Sequence, residues 1–142
     1  MPQDNLKRFT DAQQRDYPAA LAEIKTGRKR SHWMWYIFPQ IQGLGFSSTS
    51  KHYAIQNLSE ATAYLQHPVL GSRLIEICQV LVAGESSDAH RIFGTPDDLK
   101  LKSSMTLFAA VPEADPVFEQ VLEKFFRGRK DENTLQILSR PS

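Results

Sequence analysis

Cysteine is almost missing from this chain: Cys78 is the only one in 142 residues. An internal disulfide and any multi-cysteine metal site are thereby excluded, and a reducing compartment fits. Long apolar runs are missing too. The longest spans residues 33–38, far below the roughly 20 residues that a membrane helix needs. Residues 1–5 have neither the basic start nor the apolar stretch of a secretion signal, so a cytoplasmic protein is expected. At 41% hydrophobic and 23% charged residues, the composition excludes a disordered chain, a collagen-like repeat and a coiled coil. No segment recurs with the period of a solenoid. The length suits one domain over residues 1–142, with an ordered core expected over residues 5–138.

Acidic side chains are missing from a long internal stretch. Between Glu23 and Glu60 there are none, while Lys25, Arg28, Lys29, Arg30 and Lys51 all fall inside it. The net charge of +1 hides this asymmetry, which predicts a local positive potential. Part of it has a plain structural reading. Basic residues just after a helix end complement the helix dipole, and Gly27 reads as a helix stop.

Helix signals dominate what is present. Leu6, Phe9, Gln13 and Tyr17 fall at helical spacing and predict a helix over residues 6–16. Pro18 then opens a second one, which Gly27 stops. Ser59 reads as the cap of a short helix ending before His67-Pro68. Leu70, Leu74, Ile77 and Leu81 repeat at i, i+4, i+7 and i+11, one buried stripe that Gly84 ends. Cys78 lies beside that stripe and reads as a small core residue. Ser87 is the expected cap of a brief turn over residues 88–93. Thr95-Pro96 with Asp97-Asp98, and Asp115-Pro116, are helix starts. A last short helix is expected over residues 134–138. No alternating pattern is long enough for a sheet. The fold expected is all-α, a single domain of six to eight helices.

The most unusual stretch is the aromatic one. By propensity alone it fits a buried strand, but Ser31 as cap and Pro39 as terminator favour a short helix. At 100° per residue His32, Trp35 and Tyr36 share an arc of about 100°, with Met34, Ile37 and Phe38 on the other side. The plain reading is core, with large rings anchoring the fold. Ser31-His32-Trp33-Met34-Trp35-Tyr36-Ile37-Phe38-Pro39-Gln40, followed by Gly43-Leu44-Gly45-Phe46-Ser47, resembles the signature of domain-of-unknown-function family 1810. These are small bacterial proteins that often carry the label calpastatin, a name that is no evidence of protease inhibition. The resemblance continues through Tyr53-Ala54-Ile55, through His67-Pro68-Val69-Leu70-Gly71-Ser72-Arg73-Leu74, and through Ser103-Ser104-Met105-Thr106-Leu107-Phe108. It covers residues 9–126. Its one departure is Tyr36-Ile37, where phenylalanine with an aliphatic residue is the expectation. The resemblance implies a mainly helical fold and brings no activity with it.

The residues themselves suggest candidate chemistry. Gly43-Leu44-Gly45-Phe46-Ser47-Ser48-Thr49-Ser50 joins paired glycines to four hydroxyls ahead of a helix expected near Lys51. Such a loop can cradle a phosphate, although the third glycine and preceding strand of a dinucleotide fingerprint are missing. The alternative is a flexible loop capped by Ser50. On the helix opened by Thr95-Pro96, Asp97, Lys100 and Ser104 share an arc of about 60°. Ser104 is a candidate nucleophile there, against the plainer reading of a salt bridge and a packing serine. Lys102 and Thr106 fall on another side and read as surface. His32, His52, His67 and His90 are scattered without a metal-binding motif, and no G-x-S-x-G context supports a triad.

Two readings follow. In the first, a pocket holds a phosphate-bearing small molecule such as a nucleotide. Its ligand-binding residues are Lys29, Trp35, Tyr36, Gln40, Ser47, Ser48 and Lys100, with His32 for proton transfer and Ser104 as nucleophile if chemistry occurs. No cofactor and no metal are expected. In the second, the same basic-aromatic region is a surface for single-stranded nucleic acid or a partner protein, which a sequence pI near 7.9 disfavours for nucleic acid. Burial of Trp33 and Trp35 separates the two.

Overall fold

Phe9, Ala12, Gln13, Tyr17, Ala20 and Ile24 line the inner face of α1 (Lys7–Lys25). The computed structural model describes residues 6–140; residues 1–5 and 141–142 lie outside the described residues. Outside them fall the segment read for a leader and the lower edge of the expected core at residue 5. Two helices were expected where α1 runs unbroken through Pro18. Pro18 sits on the exposed side, so its missing N–H falls on the solvent face, while Tyr17 and Ala20 stay buried on either side. The Tyr17 hydroxyl fixes that seam by donating to Glu76 Oε1 at 2.5 Å, with Arg73 O 3.1 Å away. Gly27 stops the helix as predicted. It takes φ +85°, its N–H reaches Ile24 O at 3.0 Å and Arg28 N–H reaches Glu23 O at 3.1 Å, the paired bonds of a Schellman end.

After α1 come α2 (Met34–Ile37), α3 (Ser48–Tyr53), α4 (Leu58–Gln66), α5 (Leu70–Ala83), α6 (Ala89–Phe93), α7 (Asp97–Ala109), α8 (Val117–Phe126) and α9 (Glu132–Ser139). Among the described residues the fold is all-helical, and its only sheet-like pairing is one isolated parallel bridge between Ile41 and Ile55. Of the nine helices among the described residues, six have seven residues or more, in keeping with the expected six to eight, while α2, α3 and α6 have only four to six. Several caps also fall on neighbours of the expected residue. Asn57 rather than Ser59 caps α4, Asp88 rather than Ser87 caps α6, and Ser47 rather than Ser50 caps α3. The Asp115 cap stands, accepting the Val117 N–H at 2.9 Å.

α7 is the central element and packs on α4, α6, α8 and α9. Every residue from Ser103 to Phe108 on it is buried. A helix enclosed on all sides needs its polar groups satisfied locally. Thr106, expected at the surface, does this: it donates to Lys102 O at 2.8 Å and accepts Asp131 N–H at 2.9 Å, tying α9 to α7. The stripe of Leu70, Leu74, Ile77 and Leu81 on α5 is buried as predicted. Burial pushes the Cys78 thiol well up, and its sulfur lies 3.6 Å from that of Met105, so it packs as a core residue. No helix among the described residues is long and apolar enough to cross a membrane.

Candidate functional site

The aromatic segment is held from below by one carboxylate. Glu23, near the end of α1, accepts from Arg30 N–H at 2.7 Å, Ser31 N–H at 3.0 Å, the Ser31 hydroxyl at 2.5 Å and the Trp33 indole at 2.9 Å. Burial raises its pKa, but these four hydrogen bonds outweigh burial and bring it down to about 2. Ser31 therefore serves Glu23 and does not cap α2, whose preceding residue is Trp33. Trp33 is 1% exposed, against Phe38 and Phe93. Trp35 is only partly buried. The tryptophans thus divide, one to the core and one to a hollow.

That hollow has a volume of about 380 Å³. The Ile41–Ile55 bridge builds it: Gln42 N–H reaches Ile55 O and Ile55 N–H reaches Gln40 O, both at 2.8 Å. The bridge brings residues 40–42 beside residues 54–56 and folds the glycine-serine loop over them. Trp35, Tyr53 and Phe46 contribute rings, Gln40, Gln42 and Gln56 contribute amides, and Ser50 and Lys51 contribute a hydroxyl and an ammonium. Gly43 takes φ +95°, and a Cβ on Gly45 would lie 2.5 Å from that of Ser50, so the loop closes on α3 only with glycine there. Phe46 is 85% exposed at this site. Among the described residues that line it there is no carboxylate, histidine or cysteine.

Of the predicted ligand-binding residues, Trp35 and Gln40 line the hollow. Lys100 stands next to it, its ammonium 5.1 Å from the Trp35 ring centre. Ser103, one turn along α7, accepts from Gln40 Nε2 at 2.6 Å. The others lie elsewhere. Lys29 is buried against Asp97, Nζ to Oδ2 2.9 Å, and faces Trp33, so its charge is already neutralised. The stretch that is acid-free in sequence is not acid-free in space, because the fold sets the start of α7 against it. Asp97 also pairs with Lys100 at 3.5 Å. Tyr36 is buried behind Tyr53, ring centres 5.0 Å apart, with its hydroxyl on Asp16. Burial first, and Asp16 second, push its pKa up to about 12. Ser47 is spent on capping: its Oγ accepts Ser50 N–H at 3.0 Å and it donates to Ser50 Oγ at 2.9 Å. Ser48 is exposed in the first turn of α3.

The two candidates for chemistry do not meet. His32 is exposed and outside the hollow, and Ser104 is fully buried in α7 with no hydrogen-bond partner for its hydroxyl. No group of three or more metal-ligating side chains forms among the described residues. Sequence reasoning missed Gln42, Tyr53 and Gln56 as site residues. A signal existed in the pattern Gln40-Ile41-Gln42 and Ile55-Gln56, where a buried isoleucine stands next to a glutamine, as at a bridge.

The chain as a whole is similar to the conserved hypothetical protein Rv1873 from Mycobacterium tuberculosis, known from a crystal structure at 1.38 Å. The match has a TM-score of 0.94 and 45% sequence identity, and it covers 96% of this chain and 98% of that one. None of the curated proteins matches the chain. The family model described as Protein of unknown function (DUF1810) matches residues 3–138, which takes in α1 as well as the aromatic segment, the bridge and the loop around the hollow. With the motifs, the helical fold and this span in agreement, the chain belongs to the DUF1810 family.

Proposed function

We propose that the hollow beside Trp35 binds a small molecule bearing a flat ring and a phosphate, such as a nucleotide. The observation that carries this is the lining: three aromatic rings, three amides and the Lys51 ammonium, with no carboxylate among the described residues that form it. Rings offer stacking, amides read polar edges, and an uncompensated ammonium favours an anion. A cavity of about 380 Å³ is at the small end of ligand sites, the size for a mononucleotide. The reading is a binding function, and His32, which lies outside the hollow, and Ser104, which is buried in α7, are given no step. The nucleic-acid reading is weaker, since Trp33 is in the core and cannot stack on bases.

The test is titration with nucleoside 5′-monophosphates, read by tryptophan fluorescence and thermal shift. Saturation at about 100 times Kd raises stability by about 2.7 kcal/mol. Trp35→Phe is expected to remove the fluorescence change, because Trp33 is sealed from the ligand. Lys51→Met is expected to weaken the monophosphate about tenfold and to leave the parent nucleoside little changed. No stabilisation by any monophosphate, or a response equal in both variants, overturns the proposal.

A further inference from the structure

A second hollow, also of about 380 Å³, lies beside the first and shares Ile41, Gln42 and Gln56 with it. The bridge at Ile41 and Ile55 fixes this common wall, so neither hollow can absorb the other without breaking two backbone hydrogen bonds of 2.8 Å. Gln42 and Gln56 are both exposed and line both hollows, and one N–H of the Gln56 amide is on Ala54 O at 3.2 Å, which leaves the other. Beyond that wall, Leu58, Ile137 and Leu138 give an apolar side, and Ser59 and Arg140 give polar groups. Again no carboxylate lines the site among the described residues. The two hollows thus have the same character, an apolar wall with one cation, and two neutral amides stand between them.

We infer that the two hollows take the two halves of one ligand, a dinucleotide whose units are joined through phosphates. This rests on the nucleotide reading of the first hollow. One ring lies with Trp35 and Phe46, the other lies against Ile137 and Leu138. The linking phosphates cross at Gln42 and Gln56, which donate to them from their amide nitrogens, with Lys51 on one side and Arg140 on the other. A ring suits the second hollow better than a sugar. Sugar hydroxyls are donors best received by carboxylates, and none is there.

The experiment is calorimetric titration of the full chain with a nucleoside monophosphate, the matching dinucleoside diphosphate, a nucleoside diphosphate sugar and oligonucleotides of increasing length. The dinucleoside diphosphate is expected to bind about tenfold or more tighter than the monophosphate, as two linked contacts do. Ser59→Trp, which fills the second hollow from an exposed position, and Arg140→Ala are each expected to bring that ratio close to one. Monophosphate binding with no gain from the second unit, or a gain untouched by both variants, overturns the inference and leaves the first reading standing. A sugar nucleotide that binds as tightly as the dinucleotide overturns the assignment of a second ring. Affinity that keeps climbing with oligonucleotide length overturns it in favour of a groove for a strand. Failure of every nucleotide overturns both readings together.

Discussion

Two sides of the molecule are held together by different means. The side made of α5, α7 and α8 consists of helices of ten residues or more whose buried faces are mostly apolar. The side made of residues 26–57 has only α2 and α3, of four and six residues, too short to be stable alone. Side chains reaching from other helices to its backbone hold it in place. Glu23 takes the N–H groups of Arg30 and Ser31, Gln13 donates to Tyr36 O at 2.7 Å, and Arg8 donates to Ala54 O at 2.9 Å. Apolar packing fills space, although a hollow of about 380 Å³ lined by Leu65, Ile75, Val111 and Phe118 lies on that side as well, with Glu113 and Asp115 in its lining. Point attachment by hydrogen bonds can hold a backbone open, and the hollow at Trp35 is on the side built that way. The difference teaches where a binding function can be placed without weakening the scaffold.

The sharpest way to break the packed side is at the corner of α4 and α5. A Cβ on Gly71 would lie 2.1 Å from the Leu65 carbonyl oxygen and 2.9 Å from its carbon. Both are backbone atoms and cannot turn aside. Gly71→Ala is therefore expected to cost about 3 kcal/mol or more, and to lower Tm by about 10 °C. Urea denaturation measures it. A variant as stable as the parent would mean that this side yields as easily as the other, and the contrast would fail.

On the pinned side the corresponding variant is Glu23→Gln, which loses the charge that four donors share. The expected loss is about 2 kcal/mol at neutral pH. The pH dependence sharpens this. Glu23 has an ordinary value near 4.5 and about 2 when folded, so its folded pKa is depressed. Its contribution is complete above about 4.5 and disappears as pH falls toward 2. Parent and variant should therefore converge in stability across that acid window, while Gly71→Ala stays apart from the parent at every pH. A Glu23→Gln deficit that does not shrink on acidification would show that the carboxylate's charge is not what fixes the segment.

The same division explains what could be read from the sequence. The periodic apolar stripe of Leu70, Leu74, Ile77 and Leu81, the stop at Gly27 and the cap at Asp115 are local signals, and each appears in the structure where expected. Trp35 and Gln40, named from one contiguous motif, both line the hollow. What escaped depends on contacts distant in sequence. Lys29 looked free because Asp97 lies 68 positions away. Thr106 looked exposed because the N–H of Asp131 that it serves is on another element. Serines at 31, 59 and 87 each had a competing cap within two residues or a nearby carboxylate, and tertiary geometry chose between them. Pro18 did not end α1, since it faces outward and packing on both sides outweighs one missing hydrogen bond.

The smallest effect on stability is expected where the effect on binding is large. Phe46, at 85% exposure, packs on little, so Phe46→Ala should change stability by no more than about 0.5 kcal/mol. A ring stacked on it in the complex would lose about 1 kcal/mol or more, a weakening of about fivefold for a nucleoside monophosphate and almost none for inorganic phosphate. Tyr53 is the control within the same hollow. It packs on Phe9 and Tyr36, with ring centres 6.0 and 5.0 Å away, so Tyr53→Ala should lose stability as well as affinity. Thermal denaturation and titration of the two variants side by side separate these outcomes. If Phe46→Ala unfolds the protein as Tyr53→Ala does, Phe46 belongs to the scaffold. If it leaves both stability and nucleotide affinity untouched, the exposed ring has no part in the site, and only Trp35 and Tyr53 remain to receive a base.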